Sequence, residues 1–190
     1  MADSAGFSAS GWGNRELDLP PQDGTRPTVL EFRGGWFTSQ YNLHELRREE
    51  GQEVVGPYLA AAMGLGRERV VLPAGCDRLR VRRFTTHGNS MAIGPWRLRT
   101  VPLRELTPLG VAVKGKHGDL LLHTGRRIEL RFEWDGDFGG ALFFQSLTEK
   151  KERQLTRGEA LRGTVKVPTE GLLRVQGHGR WRLDVVSDQS

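Results

Sequence analysis

The chain is 190 residues long, with 37% hydrophobic and 27% charged residues, 25 glycines and a formal net charge of +5. That balance suits a folded chain with many tight turns and excludes one disordered throughout. The longest apolar run, PYLAAAMGLG, falls short of the roughly 20 residues a membrane-spanning helix needs, and a single cysteine, Cys76, excludes an internal disulfide. The opening segment, MADSAGFSASGWGN, has neither the basic start nor the apolar stretch of a secretory leader. The expectation is a cytoplasmic protein with no membrane partner. The positive charge is almost all arginine, 23 Arg against 5 Lys, which weakens charge alone as a sign of a polyanion partner.

In chain order, residues 1–27 are small, polar and Pro-rich and read as a flexible N-terminal arm, with Leu17 and Leu19 as the residues that would dock it. Strands follow at 29–32 and 37–43, separated by the Gly34-Gly35 turn. Residues 43–53 read as a short helix or charged loop. The Ala-rich stretch 58–64 has the composition of a short helix ending at Gly64. Further strands are expected at 69–72, 77–84 and 96–101, with a loop over 85–94. After a link at 102–110 come short strands at 111–113, 119–123, 128–134, 141–146, 163–167, 171–175 and 181–186. Ile128, Leu130, Phe132 and Trp134 alternate with Glu129, Arg131 and Glu133, and period two of this quality argues strand. No long crossover is present, so the sheets should be antiparallel.

The second half restates the first. VLEFRGGWFTSQYNLHEL at 29–46 has its counterpart in ELRFEWDGDFGGALFFQSL at 129–147. Leu79-Arg80-Val81 and Trp96-Arg97-Leu98 match Leu173-Arg174-Val175 and Trp181-Arg182-Leu183. An internal repeat of this kind sets the architecture: an arm at 1–27, a first β-sandwich repeat at 28–104 and a second at 105–190. The halves differ at Gly34-Gly35, at 58–64 and in the 85–94 loop. A specific site is expected in those unshared segments.

VAVKGKHGDLLLH, with Gly115, Gly118 and Asp119, leads into IELRFEWDGDFGGALFF, with its Asp135-Gly136 turn. GTVKVPTEGLLRVQGHGRWRLDV then closes on the strand from Trp181. This order resembles uncharacterised actinobacterial proteins built from tandem β-sandwich modules. The resemblance covers 111–186 and extends in part over 28–101. It implies jelly-roll-like modules and carries no catalytic residue with it.

Candidate residues follow from chemistry. Trp36 and Trp134 sit beside glycines at turns and are candidate aromatic contacts for a sugar or peptide, with Asp135 next to Trp134. His87 and Asn89 are candidates in the unshared loop. Trp96 and Trp181 share a face with Leu98 and Leu183 and are assigned to the cores. Arg78, Arg80, Arg82 and Arg83 on one strand, with Arg97 and Arg99 on a later one, would form a polyanion-binding strip if those strands pair. Otherwise they are a solvated face with acidic cross-strand neighbours. Asp119, Asp135 and Asp137 lack the further ligands of a calcium loop, and the five histidines show no zinc spacing, so no metal or other cofactor is assigned. No nucleophile motif, phosphate loop or carboxylate pair is legible. The reading is an all-β, non-enzymatic binding or assembly module contacting a protein or a glycan. Nucleic acid is the alternative partner, and self-association as a homo-oligomer is compatible with it.

Overall fold

The structure, a computed structural model, describes residues 6–22, 24, 26–36, 40–49, 51–86, 89–90, 94–135, 139–149, 151–156, 160–177 and 179–188. The chain divides into two compact units, Met1–Pro102 and Leu103–Ser190. The first holds β1 (Ser8–Trp12), β2 (Arg15–Asp18), β3 (Val29–Gly34), β4 (Gln40–Glu49), β5 (Gln52–Met63), β6 (Arg67–Val71), β7 (Arg78–Arg83), β8 (Thr85–Thr86), β9 (Asn89–Ser90) and β10 (Pro95–Val101). One sheet runs β1-β10-β3-β6 and the other β2-β7-β4-β5, while β8 and β9 pair as a separate small hairpin.

The second unit opens on a 3-10 turn at Leu103–Glu105. It continues with β11 (Thr107–Pro108), β12 (Ala112–Gly115), β13 (Asp119–His123), β14 (Ile128–Asp135), β15 (Gly140–Ser146), β16 (Arg153–Gln154), β17 (Arg162–Val167), β18 (Gly171–Gly177) and β19 (Arg180–Asp188). Its sheets run β12-β19-β14-β17 and β11-β13-β18-β15-β16. All these pairings are antiparallel except the short β11–β13 contact. If β8, β9 and β11 are set aside, each unit has eight strands in the order 1-8-3-6 and 2-7-4-5. That is the jelly-roll order of two interlocked Greek keys. The fold is all-β, two sandwiches in tandem.

Each unit has its own core. Leu30, Phe32, Tyr41, Leu43, Leu79, Val81, Trp96 and Leu98 fill the first. Leu130, Phe132, Trp134, Leu142, Phe144, Leu173, Trp181 and Leu183 are among those filling the second. The same device recurs in both. Trp96 is paired in register with Gly11, and a Cβ on Gly11 would come within 2.8 Å of the Trp96 ring. Trp181 is likewise paired with Gly115, where an added Cβ would collide with the ring. Each indole N–H donates to the carbonyl two residues past its glycine, Trp96 to Gly13 at 3.0 Å and Trp181 to His117 at 2.7 Å.

Expectations over three segments are corrected. Residues 43–53, expected as a short helix or charged loop, lie on β4 as far as Glu49 and on β5 from Gln52. Residues 8–18, expected in the arm, form β1 and β2, each paired along its length. Gly11 is required beneath Trp96, and Leu17 is buried. The composition of the segment concealed this because its strands use Ser, Gly and charged residues on their outer faces. The Ala-rich 58–64 stretch is part of β5, not a helix. Ala60 and Ala62 lie opposite Leu43 and Tyr41 with no exposed surface, so small side chains meet large ones across the pair. Cross-strand packing overrides the modest helix preference of alanine. Gly64, at φ 59, then turns the chain towards β6.

Candidate functional site

In the first unit the β1–β2, β3–β4, β5–β6 and β7–β10 connections emerge at one end of the sandwich. Register shows this directly. Trp12 lies opposite Pro95, Gly34 opposite Trp96, Arg33 opposite Arg67, Tyr41 opposite Arg83 and Gln40 opposite Met63. Five large apolar side chains on these connections face solvent: Trp12, Trp36, Met63, Leu65 and Phe84. Among the described residues they are half of all the exposed large hydrophobics. Single exposed apolar side chains are ordinary, but a concentration at one end is not.

Within this set Trp12 and Trp36 pack against each other. They are 61% and 54% exposed, and their rings meet edge to face with centroids 5.6 Å apart. Trp12 ends β1, where Gly11 points into the core and so turns its neighbour outward. Trp36 follows Gly35, whose N–H donates to Pro95 O at 2.7 Å and whose missing side chain leaves room for the Pro95 ring.

The floor under these loops is fixed. Tyr41 is buried, and its hydroxyl accepts from Gly13 N–H at 3.2 Å and donates to Gly94 O at 2.6 Å. One side chain thus ties the β1–β2 turn to the start of β10. Asn14 Oδ1 accepts from Arg83 N–H at 2.8 Å and ties that turn to the end of β7. Two exposed aromatics on anchored loops make a preorganised contact surface.

The structure separates the sequence candidates. Trp36 belongs to this patch. Trp134 does not: it is 4% exposed, and its ring occupies the space left by Gly140 and Gly177. In the first unit Gly34 holds the register position that Trp134 holds in the second, each opposite the closing tryptophan, and Tyr41 on the other sheet is buried in that core. Asp135 is exposed at the end of β14, opposite Arg180, in the second unit. It is therefore not part of the patch. Asn89 lies on the β9 backbone, and His87 lies outside the described residues. Trp12, unusual in a polar segment, stands out in the sequence as either an anchor onto the fold or a partner contact, whereas Met63, Leu65 and Phe84 were missed because their shared position depends on strand order.

The arginine strip also divides. β7 and β10 belong to different sheets, so Arg78, Arg80, Arg82 and Arg83 do not continue into Arg97 and Arg99. Arg78 bonds Asp18 at 3.0 Å, Glu16 at 3.3 Å and Glu53, and Arg80 bonds Glu16 at 2.6 Å. These acids come from β2 and β5, on either side of the β7–β4 pair. On the first sheet, Glu31 is the hub of a second network. Arg33, Arg69 and Arg99 reach its carboxylate at 2.9, 3.1 and 3.2 Å, and Arg67 lies at 3.9 Å. Burial alone would raise the Glu31 pKa. The charge of Arg33 and the hydrogen bonds from Arg99 and Arg69 outweigh it and hold the carboxyl below its ordinary value. Beside this hub, Arg97, Arg33 and Arg67 stand in direct register across three strands. Pairs two residues apart (Glu31 with Arg33, Arg67 with Arg69, Arg97 with Arg99) were the sequence signal for this face.

Cys76 is buried, its thiol donates to Arg78 O at 3.4 Å, and burial pushes its pKa up to about 12. It is un-ionised near neutrality, the wrong state for a nucleophile. His123 is buried with Nε2 at 2.7 Å from Arg126 O, a structural contact. Asp119 caps its own neighbour, accepting from Leu120 N–H at 2.8 Å. Among the described residues no three His, Cys, Asp or Glu gather as a metal site, and no helix is long and apolar enough to cross a membrane.

No family model and no curated protein matches the chain. Solved structures give weak likenesses. The CUB1-EGF-CUB2 domain of human MASP-1/3 is 8% identical, with a TM-score of 0.27 over 96% of this chain and 100% of that one. The stem and receptor binding domain of the spike protein P1 from bacteriophage PM2 is 9% identical, with a TM-score of 0.24 over 100% and 81%. Scores this low carry no inference about function.

Proposed function

We propose that the protein is a non-enzymatic binding or assembly module that contacts another protein or a glycan through the loop end of its first unit. The observation that carries this is the Trp12–Trp36 pair, packed edge to face while both rings stay more than half exposed. Tryptophan concentrates at the energetic centres of interfaces, where a partner removes its surface from water. Met63, Leu65 and Phe84 add apolar surface at the same end, and the Tyr41 anchor limits the ordering cost of binding.

The test is a comparison of wild type with a Trp12→Ser/Trp36→Ser variant on an oligosaccharide panel and a displayed random-peptide library. Ligands of the wild type should lose about thirtyfold or more in affinity, since loss of even one tryptophan anchor costs on the order of 2 kcal/mol. Equal binding by a folded variant would remove the reading.

A second reading keeps a polyanion as partner but moves it from β7 to the outer face of the first sheet. Like charges directly opposite one another destabilise a sheet, and the Arg97–Arg33–Arg67 row sets three side by side, with the one Glu31 carboxylate offsetting part of the charge of Arg33 and Arg67. An anionic chain would relieve that repulsion. Single-stranded DNA binding that weakens steeply with salt and is lost in Arg33→Glu/Arg97→Glu would support this reading. Binding lost instead in Arg82→Glu/Arg83→Glu would return the site to β7.

A further inference from the structure

The second unit holds an open cleft of about 590 Å³ lined by Arg126, Arg127, Arg153, Lys166, Pro168 and Thr169. The four cations come from separate parts of the fold. Arg126 and Arg127 end the β13–β14 turn, Arg153 lies on β16, Lys166 lies on β17, and Pro168 and Thr169 begin the β17–β18 connection. Among the described residues no carboxylate lines the cleft. Glu129 stands opposite Lys166 on β14, yet it is not among the lining residues. Glu152, next to Arg153 in sequence, is held elsewhere by Arg174 at 2.6 and 2.8 Å.

The walls are supported. The His123 ring sits beneath Gly125 and bonds Arg126 O at 2.7 Å, which fixes the turn carrying Arg126 and Arg127. The Arg153 guanidinium lies 5.7 Å from the centroid of the Phe144 ring, a cation–π contact that holds its position. Four like charges lining one cleft raise the local positive potential, and a concave site focuses it. Guanidinium forks match phosphate oxygens in pairs, while an ammonium supplies a point charge. The volume lies within the roughly 300–1,000 Å³ of small-molecule sites and exceeds what one inorganic phosphate fills.

We infer that this cleft is a binding site for a compact ligand bearing two or more linked phosphate groups. Cations that converge on one cleft from a turn and two strands suit a compact group better than an extended polymer. The site uses no residue of the first unit, so the inference goes beyond the loop-end reading and does not rest on it.

The test is calorimetric titration of the full chain with sodium tripolyphosphate at low ionic strength. Arms with ATP and adenosine distinguish a nucleotide from a free polyphosphate. The expected result is saturable one-site binding that salt weakens. ATP should bind at least as well as tripolyphosphate if a nucleotide is the source and more weakly if it is not, and adenosine should not bind. Arg127→Glu and Lys166→Glu should each weaken tripolyphosphate binding about tenfold or more, as expected when a hydrogen bond to a charged group is lost. Lys166→Arg should retain it, and Trp12→Ser/Trp36→Ser should bind as wild type does. If a charge reversal fails to fold, Arg127→Gln and Lys166→Gln replace it. Absence of saturable binding would overturn the inference. So would unchanged affinity in the folded variants, or binding of a single-stranded oligonucleotide with none of tripolyphosphate.

Discussion

At the scale of single residues, two side chains do more than fill space. The Tyr41 hydroxyl accepts from Gly13 N–H and donates to the opposing Gly94 carbonyl, and it joins the two loops beneath the aromatic patch. Tyr41→Phe keeps the ring and leaves these buried groups short of a partner. The expected cost is about 1–3 kcal/mol in denaturant unfolding, with a loosened patch above it. Glu31 is the other. Its folded pKa lies below the ordinary carboxylate value, so the ionised form stabilises the fold. That contribution is complete above the unfolded pKa and is lost as pH falls through the ordinary range and below it. Glu31→Gln should therefore melt below wild type at pH 7, and the gap should close as pH drops below about 4. A gap that persists unchanged in acid would show that the carboxylate charge is not the cause.

At the scale of elements, the two strands before residue 19 carry more than their composition suggests. β1 covers the Trp96 ring through Gly11 and pairs the edge of β10, and β2 supplies Glu16 and Asp18 to Arg78 and Arg80. A chain starting at Leu19 should lose the cooperative unfolding of the first unit and keep that of the second, which has a core of its own. Hydrogen exchange resolved by segment would show this, and unchanged protection over β10 and β7 would contradict it. Most strands were legible because one face is apolar and alternates, as in β14. The β5 strand was hidden by alanines whose burial depends on Leu43 and Tyr41 across the pair. β1 and β2 were hidden because a strand of Ser, Gly and charged residues gives little hydrophobic signal. Trp36 could be singled out from its glycine neighbours, but the same logic misplaced Trp134. Whether a turn tryptophan points inward depends on which sheet supplies the bulk at that position, and no local pattern contains that.

At the scale of the whole molecule, one jelly-roll order serves two units with different surfaces. Both bury a closing tryptophan over a glycine. In the first, Gly34 stands opposite that tryptophan in register, Tyr41 is buried in the core, and Trp12 and Trp36 stand exposed on the loops. In the second, Trp134 fills the core beside two glycines, and four cations line a cleft. The shared parts account for folding, and the unshared parts carry the candidate contacts. Three of the five tryptophans are buried and two are exposed, so hydroxyl-radical footprinting reads the central claim directly. With the strongest ligand from the oligosaccharide and peptide panels bound, oxidation of Trp12 and Trp36 should fall, while Trp96, Trp134 and Trp181 stay protected with and without ligand. Protection that falls elsewhere, with Trp12 and Trp36 oxidised as in the free protein, would contradict the account.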